Sequence, residues 1–129
     1  DYDVIDACVD MVNQIFGDED LGMDLLFENL WWPGLTLRDR EAVSRLMEGV
    51  QYPRKGIMLD TAHLMNTNLE LGNEKEAVEY ILDTIERLGE LKSFIKGIHL
   101  NSSVSGEYTR EEIRKHKNLK KLEGYPLPK

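Results

Sequence analysis

Three short apolar runs, each ending at a residue that can bind a metal, constrain the fold of this chain most strongly. The runs end at Glu28, Asp60 and His99. Between them, apolar residues recur at the spacing of one helix face, so helices and strands alternate along the chain. A strand that is followed by a helix and another strand forms a right-handed crossover in a parallel sheet. The sequence therefore predicts an α/β fold with parallel strands.

The predicted elements follow this alternation. We expect helices over 2–16, from Thr36 or Asp39 to Gly49, over 73–88 and over roughly 109–122, with strands over 23–28, 56–60 and 94–100. Gly17 is the expected end of the first helix. The apolar faces predicted for the second and third helices are Ala42, Val43, Leu46 and Met47, and Ala77, Val78, Ile81, Leu82, Ile85 and Leu88. Residues 64–71 are ambiguous, although Asn66, Thr67 and Asn68 favour a loop there.

Length and composition limit the function classes. The 129 residues suit a single domain. The chain begins with Asp and stops at Pro126-Leu-Pro-Lys129, so we expect a piece of a longer protein. The net charge of −8 argues against binding to nucleic acid, which needs clustered cations. Cys8, the single cysteine, excludes an internal disulfide and a cysteine metal cluster, and we interpret it as core packing. No apolar run approaches the roughly 20 residues of a membrane span, so we expect a cytoplasmic protein that does not contact a membrane.

The residues at the three strand ends predict a metal site. Ligands bind beyond the carboxyl ends of parallel strands, and His63 follows Asp60 closely enough to converge with it. Carboxylates combined with imidazoles suit Mn²⁺, Zn²⁺, Co²⁺ or Fe²⁺. Each residue also has an ordinary interpretation: Glu28 in solvent, Asp60 as a helix cap, His63 at the surface, His99 satisfied in the core. Their coincidence at one edge of the sheet favours the metal site.

Two adjacent tryptophans lie in the loop that follows Glu28. Trp31 and Trp32, next to Pro33 and Gly34, could stack on a substrate or cover the core. Both interpretations stay open, and we predict the tryptophans as candidate substrate-binding residues.

The motifs Phe27-Glu28-Asn29, Leu59-Asp60-Thr-Ala-His63 and Ile98-His99-Leu-Asn101-Ser resemble those of the xylose isomerase-like TIM barrels. That superfamily includes sugar phosphate isomerases and epimerases and the metal-dependent apurinic/apyrimidinic endonucleases. The resemblance implies a (β/α)₈ barrel, of which about half is present here over residues 1–129. It implies that Glu28, Asp60 and His99 bind a divalent metal (Mn²⁺, Zn²⁺, Co²⁺ or Mg²⁺) and that Glu28 is also a catalytic acid/base. We add Asn101 as a predicted substrate contact.

Departures from the family motifs guide the choice between the isomerase or epimerase branch and the endonuclease branch. The endonucleases typically have Asp where this chain has Ser102, and their later Asp-x-His pair would correspond to Arg114-Lys115-His116. His63, by contrast, is a feature of the multi-metal endonuclease sites. We favour an isomerase or epimerase that moves a proton through an enediolate of a sugar or sugar phosphate. The alternatives are an endonuclease-like phosphodiester hydrolase and a non-catalytic module. A half-barrel would expose two sheet edges, which a homodimer could cover.

Overall fold

The computed structural model of this protein describes residues 2–31, 34–102, 110–111 and 113–115. Within these residues, helices and strands alternate in the predicted order. The helices are α1 (Asp3–Phe16), α2 (Arg40–Gly49), α3 (Thr61–Met65) and α4 (Glu74–Arg87), and the strands are β1 (Leu25–Glu28), β2 (Lys55–Asp60) and β3 (Ile95–His99). A 3₁₀ helix, Gly89–Phe94, precedes β3 and was not predicted. Residues 110–111 and 113–115 are helical, whereas the rest of the predicted helix, with His116, lies outside the described residues.

The three strands form one parallel sheet in the order β1-β2-β3. Glu28 is level with Met58, and Asp60 is level with His99. The carboxyl ends of all three strands therefore lie along one edge of the sheet. This arrangement confirms the predicted α/β class and is consistent with part of an α/β barrel.

The core lies between this sheet and the helices α1 and α2. All four residues predicted for the buried face of α2 are at most 4% exposed. Asp39 begins α2, because its carboxylate accepts hydrogen bonds from the backbone N of Glu41 and Ala42. Gly17 ends α1 with φ of 63°, a conformation that glycine adopts without strain. Cys8 is half-buried and packs against the core.

The prediction for the apolar face of α4 was partly wrong. Leu88 is buried, and Ile81 and Ile85 pack against the core, but Val78 and Leu82 are 54% and 57% exposed. Helical periodicity identifies residues that share a face, but not how wide a strip of that face other elements cover. In the described part of the chain, α4 contacts mainly α3 and the 3₁₀ helix. This contact leaves one side of its apolar face in solvent.

Smaller differences concern the ends of elements. The loop expected over 64–71 begins later, because Asp60 caps the short helix α3 and the helix extends to Met65. Strand β1 begins at Leu25 rather than at Met23. None of the described helices is both long enough and apolar enough to cross a membrane.

Candidate metal centre

The end of β1 presents one carboxylate to solvent and buries one amide. The Glu28 side chain is 41% exposed, whereas Asn29, the next residue, is fully buried. The Asn29 side chain donates from Nδ2 to the backbone O of Asp60 (3.1 Å) and accepts at Oδ1 from the backbone N of Asp60 (2.7 Å). The amide thus continues the hydrogen-bonded ladder between β1 and β2 past the last residue of β1.

The Asp60 carboxylate has two roles at once. It is buried, with a side chain only 2% exposed, and its Oδ1 accepts a hydrogen bond from the backbone N of His63 at 2.9 Å, which caps α3. Its Oδ2 lies 2.9 Å from His99 Nδ1 and 3.6 Å from His63 Nδ1. The helix-cap interpretation is therefore correct for one oxygen, and the other oxygen faces the two imidazoles.

His63 has a defined ring orientation. Its Nδ1 lies 2.8 Å from the backbone O of Asn29. A carbonyl oxygen can only accept, so Nδ1 carries the hydrogen, and in the neutral ring Nε2 keeps its lone pair. Metal-binding histidines are commonly held by such a bond from the other ring nitrogen. Glu28, Asp60 and His63 each offer a potential ligand atom within 4.8 Å of the others.

His99 closes the cluster from β3. Its Nδ1 lies 3.2 Å from Glu28 Oε1 as well as 2.9 Å from Asp60 Oδ2, and its side chain is 56% exposed. It is therefore not a buried core histidine. The next rung of the sheet is made by Thr61, whose hydroxyl donates to the backbone O of Asn101 and accepts from its backbone N at 2.9 Å.

The charges of the cluster compensate one another. Hydrogen bonding to Glu28, then attraction by Asp60, raises the pKa of His99 above its ordinary value. Burial of the Asp60 carboxyl by itself would raise its pKa. The hydrogen bond from His63 N, the contact with Glu28 and the nearby imidazoles outweigh burial, so the pKa of Asp60 lies below its ordinary value. A cation at this place would face an ionised Asp60.

The donor atoms fit a divalent transition metal. Two carboxylates and two imidazoles form a mixed oxygen and nitrogen set, which suits Zn²⁺, Mn²⁺, Co²⁺ or Fe²⁺ better than Mg²⁺, which prefers oxygen ligands and retained waters. Glu28, Asp60, His63 and His99 are the four residues that the sequence predicted as ligands. Atoms of Glu28, Asp60 and His63 converge, and His99 contacts both carboxylates. The role of the four residues as ligands remains a prediction.

The structure describes only two of the three predicted substrate contacts, Trp31 and Asn101. Trp31 is half-buried, and Trp32 lies outside the described residues. Asn101 is exposed, and its Oδ1 accepts a hydrogen bond from the backbone N of Ser102 at 2.9 Å. Sequence reasoning gave no role to Asn29 or Thr61. The available signal was a polar residue placed directly after β1 and directly after β2, where a side chain can extend the ladder.

Comparisons with known proteins agree on the family. A family model described as a xylose isomerase-like TIM barrel matches residues 3–126. The probable endonuclease 4 of Halothermothrix orenii is 26% identical over 117 residues, which are 87% of this chain and 40% of that protein. The probable endonuclease 4 of Mesomycoplasma hyopneumoniae strain J is 33% identical over 81 residues, 63% of this chain and 27% of that protein. This chain thus spans at most 40% of the length of these two relatives. No solved structure matches it.

Proposed function

Because this chain belongs to the xylose isomerase-like TIM barrel family, we propose that its strand-end cluster is the metal-dependent site of a phosphodiester hydrolase that acts on abasic DNA. The relatives named above are both called probable endonuclease 4. This proposal reverses the order of the two enzyme functions that the sequence suggested, in which isomerase chemistry came first.

The position of His63 carries the proposal. Glu28, Asp60 and His99 are the residues that the family resemblance implies as ligands of one metal. His63 adds a fourth donor, whose ring is oriented by the carbonyl of Asn29 at 2.8 Å. With Nδ1 bonded to that carbonyl, the free donor of His63 is Nε2, on a ring that lies beside the same carboxylates. This further donor supports a site for more than one metal, which is the endonuclease pattern.

The two carboxylates of the cluster have distinct chemical tasks in this proposal. A bound divalent metal supplies Lewis acidity and neutralises phosphate charge. Asp60 stays ionised near neutral pH because its pKa is lowered, so it offers a constant negative charge. Glu28 has a half-exposed carboxylate, so it can accept a proton from a water at the mouth of the site.

The acidic composition does not exclude this substrate. Net charge is an average over the whole surface, whereas phosphate recognition depends on the field at one edge of the sheet. Metal ions at the cluster would reverse the local sign of that field. The expectation that nucleic acid is not a partner therefore gives way to the relatives' names, which point to a nucleic-acid substrate.

A strand-cleavage assay tests the proposal. With Zn²⁺ or Mn²⁺ added, we expect the protein to nick a duplex oligonucleotide that carries one abasic site and to leave the undamaged duplex intact. Glu28→Gln and His63→Ala should each lower the rate by at least about 100-fold, as expected for groups at the reacting centre. Glu79→Gln, the same change on the exposed side of α4, should leave it unchanged. Absence of nicking by a metal-loaded wild-type protein would overturn the proposal.

Isomerase or epimerase chemistry is the second candidate. Ser102 stands where the endonucleases typically have Asp, and Arg114 stands at the aspartate position of their Asp-x-His pair. In this candidate Glu28 would remove a carbon-bound proton from a sugar or sugar phosphate. Incorporation of solvent deuterium into a sugar phosphate, retained in His63→Ala and lost in Glu28→Gln, would favour it over the hydrolase.

The raised pKa of His99 predicts how metal affinity depends on pH. A metal and a proton compete for the imidazole, and the proton is held more tightly here than on an ordinary histidine. Metal affinity should therefore rise as pH increases through a window that begins above about 6.5, the ordinary histidine value. Titration calorimetry at several pH values should show this rise and proton release on binding. His99→Ala should flatten the rise, and an unaltered pH profile would exclude His99 as a ligand.

A further inference from the structure

We propose that Asn29 is a positioning residue that holds both Asp60 and His63, and that it fixes His63 in the tautomer with hydrogen on Nδ1. Its importance for metal binding rests on the proposed function. The effect on the tautomer does not, because it concerns the protein without metal.

The side chain of Asn29 is committed to one partner. Its Nδ2 donates to the backbone O of Asp60 and its Oδ1 accepts from the backbone N of the same residue. This reciprocal pair reproduces a peptide rung between neighbouring strands. Both bonds are fully buried, so neither group can exchange its partner for water at little cost. The backbone of Asp60, and hence the direction of its carboxylate, is held from β1.

The backbone of Asn29 holds the second ligand candidate. Its carbonyl oxygen accepts the hydrogen of His63 Nδ1 at 2.8 Å. The two side-chain bonds of the same residue restrain the position of that carbonyl. Removal of the amide would leave the carbonyl in the chain but free it to move. One residue thus couples the end of β1 to the carboxylate of β2 and to the imidazole of α3.

Thr61 offers a matched comparison on the other side of β2. Its hydroxyl bonds to both the backbone N and the backbone O of Asn101, so it makes the corresponding link from β2 to β3. Both residues are buried and both close a strand end by a reciprocal pair. Only the link made by Asn29 includes the carbonyl that bonds to the His63 ring.

The protonation of each imidazole nitrogen can be read in metal-free protein labelled with ¹⁵N-histidine. Long-range ¹H–¹⁵N correlation spectra distinguish the two tautomers, and His63→Gln assigns the His63 signals. We expect Nδ1–H for His63 in the wild type and in Thr61→Val. In Asn29→Ala we expect a mixture of tautomers at His63. Metal affinity of Asn29→Ala should fall by roughly 10- to 100-fold, the range for outer-shell partners.

Two results would overturn the inference. One is a wild-type His63 that lacks hydrogen on Nδ1, and the other is a folded Asn29→Ala protein in which His63 keeps it. If Asn29→Ala does not fold, Asn29→Asp serves instead, because it keeps the acceptor for Asp60 N but lacks the donor. In Asn29→Asp, the mixture of His63 tautomers should lie between those of the wild type and Asn29→Ala. A pure Nδ1–H form would again refute the inference. Failure of wild-type DNA cleavage alone would refute only the proposed function.

Discussion

Asp60→Asn is expected to remove most of the metal affinity of the strand-end cluster while the fold persists. Asp60 Oδ2 lies close to His63 and His99, and the lowered pKa of Asp60 keeps this group charged. Asparagine has nearly the same shape and also caps helices well, so the bond from His63 N to the side chain can remain. The affinity loss should therefore exceed the roughly 100-fold that the loss of an outer-shell partner costs.

The measurement is a metal titration, accompanied by thermal unfolding of the metal-free protein. A matched control is Asp83→Asn, an exposed aspartate on α4 that forms ion pairs with Arg38 and Arg87. We expect that variant to bind metal as the wild type does, since surface ion pairs contribute little. Unchanged affinity in a folded Asp60→Asn protein would exclude Asp60 from the metal site.

Leu46→Ala is expected to destabilise the protein by about 2–5 kcal/mol, whereas Leu82→Ala should change the free energy of unfolding by no more than about 0.5 kcal/mol. Both leucines lie on helix faces that look equally apolar in the sequence. Leu46 on α2 is 2% exposed, so its truncation would leave a cavity in the core. Leu82 on α4 is 57% exposed, and alanine there suits the helix at least as well.

Chemical denaturation of both variants and the wild type measures the change in the free energy of unfolding. The comparison requires that the m-values stay unchanged. The pair is informative because the chemical change is the same at both positions. A loss above about 2 kcal/mol in Leu82→Ala would show that Leu82 is buried in the protein. A loss below about 1 kcal/mol in Leu46→Ala would contradict the placement of Leu46 in the core.

Much of the candidate site could be predicted because its residues mark the ends of regular elements. An apolar run that stops at Glu28, Asp60 or His99 identifies a strand end, and parallel strands bring such ends to one edge. The short separation of His63 from Asp60 placed it in the first turn after β2. These inferences use only local periodicity and the handedness of crossovers.

The choice between reactions could not be made in the same way. Bulk charge and Ser102 favoured sugar chemistry, but bulk charge says little about one edge of a sheet. The oriented ring of His63 and the similarity to proteins named probable endonuclease 4 favour phosphodiester hydrolysis.

The sequence by itself determined the order of helices and strands, the parallel sheet and the residues at the edge that holds the candidate site. These properties follow from patterns that repeat within one element. Only the tertiary structure decided that Asn29 bonds to Asp60, that Asp60 divides its two oxygens between a helix cap and two imidazoles, and that Leu82 remains exposed. These properties depend on strand register and on which elements cover a helix face. Contacts between distant residues set both, and no local pattern records them.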